Sequence, residues 1–116
     1  MIKITLCRNK DPIDRYEIDA PTISIGRLDS NDIQLDDTGV SKVHAQIKRL
    51  GGGYVLEDCL STNGTFLDDQ RVTATSLENG SVINILNYSL LCEIPDDPQA
   101  HESTFVYLEA DPPPKE

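Results

Sequence analysis

Positive charge is scarce in this chain of 116 residues: 10 Lys and Arg stand against 20 Asp and Glu, a formal net charge of −10. The summed field repels nucleic acid and anionic membrane surfaces, so neither is expected as a general partner. Histidine is scarcer still, with only His44 and His101, far apart in the chain. The three cysteines, Cys7, Cys59 and Cys92, sit in apolar runs without CxxC spacing. That set gives no basis for a zinc site, and no metal or cofactor is expected. An odd cysteine count instead points to buried or free thiols in a reducing compartment. No apolar run approaches the length needed to span a bilayer, and the N-terminal Met-Ile-Lys-Ile-Thr-Leu-Cys-Arg has no signal-peptide core, so no membrane insertion is expected. A cytoplasmic protein, or a piece of one, is the expectation. Internal repeats are lacking, and helical periodicity is nearly absent.

What is present is the pattern of an all-β domain. At 38% apolar and 26% charged residues the chain can bury one modest core. Short apolar or alternating runs are separated by Gly, Pro, Asn and Asp clusters, as in a sandwich or barrel. Strands are predicted at Ile2–Cys7, Tyr16–Ile18, Thr22–Ile25, Ile33–Leu35, His44–Arg49, Tyr54–Asp58, Thr65–Leu67, Gln70–Val72, Ser81–Leu86 and Tyr88–Ile94. Gly51-Gly52-Gly53 reads as a hairpin connection, and Asn63-Gly64 supplies residues suited to a tight turn. Pro95-Asp96-Asp97-Pro98 breaks the last strand. The domain is therefore placed at residues 1–94, followed by an acidic, Pro-containing tail at 95–116. Within that tail, residues 104–108 form either an added edge strand or a linker segment that docks elsewhere.

Three segments put phosphate-binding chemistry into loops: Ile25-Gly26-Arg27, Val40-Ser41-Lys42-Val43-His44-Ala45 and Ser61-Thr62-Asn63-Gly64-Thr65-Phe66. A phosphothreonine carries a charge of roughly −1.5 to −2 and needs several donors fixed at once. Arg, Ser, Lys, Thr and Asn on rigid loops supply them. Taken alone, Gly-Arg or Asn-Gly-Thr is common in unrelated β proteins; the information lies in the combination. Gly-Arg, then Ser-Lys-x-His-Ala, then Ser-Thr-Asn-Gly-Thr-Phe, in this order and spacing, resembles the forkhead-associated (FHA) domain family. Leu77-Glu78-Asn79-Gly80-Ser81-Val82-Ile83 is similar to the family's turn and strand before its last hairpin.

The resemblance implies an 11-stranded β-sandwich of two twisted sheets, with the binding loops at one end, and a phosphothreonine-binding module of Ser/Thr kinase signalling that is not an enzyme. Its partners would be a phosphothreonine-containing protein or peptide and, upstream, a Ser/Thr kinase. Arg27 would make the main charge contact, since a guanidinium is always protonated and presents paired N–H donors. Ser41 would donate its hydroxyl to the phosphate. Lys42, where many members have Arg, keeps the charge but loses the planar fork. Thr62 would lie near the phosphate and Asn63 would bond the peptide main chain. Gly26, His44 and Gly64 would support the loops. The family packs the threonine γ-methyl in a small apolar pocket, worth only about 1 kcal/mol by burial. It also selects the third residue after phosphothreonine, for which Asp29, Ser30, Asn31 and the residues around Leu60 are candidates here. Departures from the family pattern are Asp68-Asp69 in place of an Asn-Gly turn, Ser81 in place of Asp and Leu86 in place of Gly. Arg71 is expected to be a surface residue distant from Arg27.

Two other readings compete. An FHA scaffold could bind unphosphorylated partners through a sheet face or the Phe105–Leu108 run. A hydrolase would need Ser41 as nucleophile and His44 as base, with Asp58 orienting it. Thr104 in the tail is a further candidate ligand, once phosphorylated, for the same site or that of a neighbouring molecule.

Overall fold

In the first strand, β1 (Ile2–Arg8), Ile2, Ile4 and Leu6 are buried and the residues between them are half-exposed, the period-two pattern of a strand with one face on a core. The same alternation recurs in the last, β11 (Tyr88–Glu93), where Tyr88, Leu90 and Cys92 point inward. The computed structural model describes residues 1–95; the expected strand at 104–108, Thr104 and His101 lie outside the described residues. Between those two strands run β2 (Asp11–Ile18), β3 (Thr22–Gly26), β4 (Ile33–Gln34), β5 (Ala45–Leu50), β6 (Gly53–Asp58), β7 (Thr65–Leu67), β8 (Gln70–Val72), β9 (Ala74–Leu77) and β10 (Val82–Ile85).

They form a six-stranded sheet in the order β2-β1-β11-β10-β7-β8 and a five-stranded sheet in the order β4-β3-β5-β6-β9. All pairings are antiparallel except β3 with β4. The inward faces make one core, with Ile2, Ile4, Ile83, Ile85 and Leu90 from one sheet against Ile23, Ile25, Ile47 and Leu56 from the other. Eleven strands in two sheets, without a helix among the described residues, agree with the expected all-β sandwich.

Two-residue turns set the register of the hairpins. Asn9 and Lys10, Gly51 and Gly52, and Asp68 and Asp69 all have positive φ, the conformation that lets a two-residue connection follow the right-handed twist of its strands. Asp68 and Asp69 therefore do the work of the Asn-Gly turn they replace, at φ 47° and 73°. The structure differs from the sequence reading at β9, which was not expected, and at β2, which begins five residues earlier than the predicted Tyr16. Ala74–Leu77 has one buried residue, Leu77, so its strand character comes from pairing with β6. In β2 only Tyr16 and Ile18 are even half-buried; it is an edge strand, where Pro12 costs no ladder bond that a neighbour needs. The predicted strand at His44 begins at Ala45.

The loops separate by end. Those joining β3 to β4, β4 to β5 and β6 to β7 gather at one end, where Leu86 of the β10–β11 turn meets Gly39. At the other end the N-terminal ammonium lies 3.9 Å from Asp19, and Asp19 also pairs with Arg49, whose guanidinium bonds the Tyr54 hydroxyl.

Candidate functional site

Backbone bonds fasten the loops at the first end to one another before any side chain acts. The Arg27 N–H donates to the Ser41 carbonyl at 3.0 Å and the Leu28 N–H to that of Lys42 at 3.3 Å. Gly26 is required by this closeness: a Cβ there would lie 2.4 Å from the Lys42 carbonyl oxygen and 2.9 Å from the Val43 Cα. Buried Asn31 completes the clamp by donating its amide to both the Leu28 and Lys42 carbonyls. Its side chain is thus spent inside the protein, which removes it from the candidates for reading a peptide.

His44 ties the third loop to the second. It is fully buried; its Nδ1 accepts from the Ser41 N–H at 3.1 Å. The ring proton is then on Nε2, which lies 2.8 Å from the Gly64 carbonyl and donates to it. The Cys59 N–H donates in turn to the His44 carbonyl. With both ring nitrogens committed to main chain, His44 is a brace. It bonds neither the Ser41 hydroxyl nor Asp58, so the geometry of a hydrolytic triad is not assembled.

Asp58, at the end of β6, pins the loop 59–64. Its carboxylate accepts from the Ser61 and Thr65 hydroxyls and the Ser61 N–H. Burial opposes its ionisation, but those hydrogen bonds and the nearby His44 imidazole outweigh the opposition and hold its carboxyl below the usual carboxylate range. Sequence reasoning missed Asp58 and Ser61 as supports, because bonds inside a loop carry no periodic signal. Gly64 follows at φ 92°, its N–H on the Ser61 hydroxyl oxygen.

On this frame Arg27, Ser41, Lys42, Thr62 and Asn63 line one open depression of about 420 Å³, together with Thr38, Gly39, Val40 and Val43. The Ser41 hydroxyl oxygen accepts from the Thr62 N–H at 3.2 Å, which leaves its own O–H to donate outward. Arg27, half-buried, uses Nε on the Val40 carbonyl at 3.1 Å; its two terminal nitrogens have no partner among the described residues. Lys42 is exposed and makes no ion pair among the described residues. The Asn63 amide donates to the Gly39 carbonyl at 2.7 Å, which orients its oxygen and remaining N–H. The depression offers donors of both strengths and no carboxylate wall.

Arg71 is not remote from this cluster. A Cβ on Gly64 would lie 2.8 Å from its Nε and 3.0 Å from its Cζ, so the arginine covers the residue next to Asn63. The β7–β8 hairpin folds it back onto the loop, a closeness that linear spacing does not display. Among the described residues, no group of three or more His, Cys, Asp and Glu is placed to hold a metal.

A β-sandwich that collects Arg, Ser, Lys, Thr and Asn on braced loops at one end defines a class of anion-reading binding modules. The FHA domain profile matches residues 23–86, and the chain belongs to the FHA domain family. Members of this family are phosphothreonine-binding modules of Ser/Thr kinase signalling. The glycogen accumulation regulator GarA of Mycolicibacterium smegmatis is 38% identical over 77 residues, covering 66% of this chain and 49% of that protein. The transcriptional regulatory protein EmbR of Mycobacterium tuberculosis is 38% identical over 80 residues, covering 68% and 21%. The chain thus spans half or less of the length of these relatives. A solved FHA domain, described under phosphothreonine-dependent FHA domain interactions, superposes with a TM-score of 0.72 at 28% identity, over 80% of this chain and 95% of that one. EmbR in complex with a low affinity phosphopeptide superposes with a TM-score of 0.71 at 33% identity, over 79% and 24%.

Proposed function

We propose that residues 1–94 bind phosphothreonine in a partner protein, with the phosphate received by Arg27, Ser41 and Lys42, flanked by Thr62, and the peptide main chain met by Asn63. The domain would bring the product of a Ser/Thr kinase, in the cytoplasm, to whatever this chain is joined to or associates with. It acts by binding and catalyses nothing.

One observation carries the reading. The Ser41 hydroxyl oxygen accepts the Thr62 N–H, so its own O–H is available to donate in the depression that Arg27 also lines, and among the described residues the terminal nitrogens of Arg27 have no partner. Donors on braced loops around one depression suit a compact anion with several acceptor oxygens. The likeness to FHA domains described with phosphothreonine and a phosphopeptide supports the same ligand.

The test is calorimetric titration of a phosphothreonine peptide library, each peptide paired with its unphosphorylated form. Binding confined to the phosphorylated forms supports the reading; equal binding of both forms overturns it in favour of an FHA scaffold that recruits unphosphorylated partners. Affinity is also expected to fall as pH drops through about 6, the phosphate's second pKa, where the dianion takes up a proton and loses charge. A pH-independent affinity between pH 7.5 and 5 would contradict it.

A further inference from the structure

We propose that Arg71 is a second anion-binding position beside the phosphothreonine site, one that reads a further acidic group on the bound peptide. The inference rests on the phosphopeptide reading above and adds a selectivity to it.

Arg71 lies on the edge strand β8, paired with Phe66 of β7. Its strand neighbour Val72, and Leu67 on β7, pack against the core, so by alternation Arg71 faces outward, and it is exposed. The side chain lies back against the loop. Its Cδ, Nε and Cζ all lie within 3.3 Å of the point where a Gly64 Cβ would be, so the stem and guanidinium rest on the Gly64 backbone. That backbone is fixed in turn, by Ser61 at its N–H and His44 at its carbonyl. Gly64 lacks a side chain because of its φ of 92°, and the arginine occupies the space that this leaves.

The second observation is what Arg71 does not touch. The chain has two acidic residues for each basic one, and Lys48 and Arg49 are paired with Glu57 and Asp19. Among the described residues, Arg71 has no carboxylate within ion-pair distance and no hydrogen-bond acceptor. An unpaired guanidinium over Gly64, the residue after Asn63, puts a further positive group on the loop that lines the depression. A peptide anchored there by its phosphate would present its neighbouring side chains to this group. A carboxylate and a second phosphate share the chemistry that the planar fork recognises.

The experiment measures Kd for three sets of phosphothreonine peptides: neutral flanks, a single Glu moved along the positions on either side, and a second phosphate in place of that Glu. The wild-type domain is expected to favour its best acidic peptide over the neutral one about fivefold, the size of a good exposed ion pair, with the preference fading as salt is added. Arg71→Gln should erase most of that preference, and Arg71→Lys, which keeps the charge, should retain part of it. A gain with Glu identifies carboxylate recognition, and a gain only with the second phosphate identifies phosphate recognition; either supports the proposal. It is overturned if the wild type shows no preference, or if Arg71→Gln weakens neutral and acidic peptides equally, as a purely structural role over Gly64 would. Failure of wild type to bind any neutral-flank phosphothreonine peptide would instead reject the reading of the depression itself.

Discussion

Each residue in the depression can be assigned by asking which of its donors and acceptors are already used. Ser41, Arg27 and Asn63 each spend part of their capacity on the loops and keep part facing out. His44 and Asn31 spend theirs entirely inside. Asp58 belongs with the second group, and its role predicts a pH dependence. Its folded pKa is depressed, so its contribution to stability is complete above the ordinary carboxylate pKa and is lost as pH falls through the folded value. Denaturant melts of wild type and Asp58→Asn should therefore converge as the pH is lowered below about 4, the unfolded value. A stability gap that stays constant down to acid pH would contradict the assignment. The residues that line the depression were legible in the sequence because they stand in three short loop motifs. Asp58 and Asn31 were not, because a brace is defined by the carbonyls and hydroxyls it reaches across the fold. Arg71 is on the surface as expected, but its position against Gly64 was not legible for the same reason: the hairpin that returns it there is a tertiary fact.

At the scale of elements, ten of the eleven strands were announced by alternation and turn residues, and β9 was not. The exception has a physical cause, since an edge strand with one buried residue owes its conformation to its partner. Several turns hold non-glycine residues at positive φ, and the other bonds of each side chain decide whether glycine would improve it. Asp69 sits at φ 73° and no described partner depends on it. Asp69→Gly is expected to stabilise the domain by about 0.5 kcal/mol, relief of the left-handed backbone outweighing the added chain entropy. Asp68→Gly should do the opposite, because the Asp68 carboxylate accepts from the Val82 N–H at 3.1 Å and that bond is lost. Chemical denaturation of the two variants distinguishes them by sign. Leu86, also at positive φ, is intermediate: its side chain meets Gly39, so a glycine there relieves the backbone but removes a contact between two loops of the site end.

For the whole molecule, charge and core point to different consequences. A net charge of −10 repels an anionic peptide at long range, so on the proposed reading binding depends on the local group of Arg27, Lys42, Ser41, Thr62 and Asn63. The core supplies the rigid frame on which that group stands. Cys92 lies within it, fully buried, with burial and then Asp68 pushing its thiol up to about 12. Under native conditions it should resist thiol reagents, and its labelling rate should follow global unfolding as denaturant rises. Rapid labelling of Cys92 in the native state, read by peptide mass mapping, would show that the sandwich opens locally at β11.

The central claim is that Arg27 is the main charge contact for a phosphothreonine. Its most direct test is the affinity of wild type and Arg27→Ala for one phosphothreonine peptide, with a thermal melt to show that both are folded. Loss of a charge-assisted contact of about 2–3 kcal/mol predicts a weakening of about 30- to 150-fold with the melt little changed. Undiminished binding by a folded Arg27→Ala domain would contradict the account.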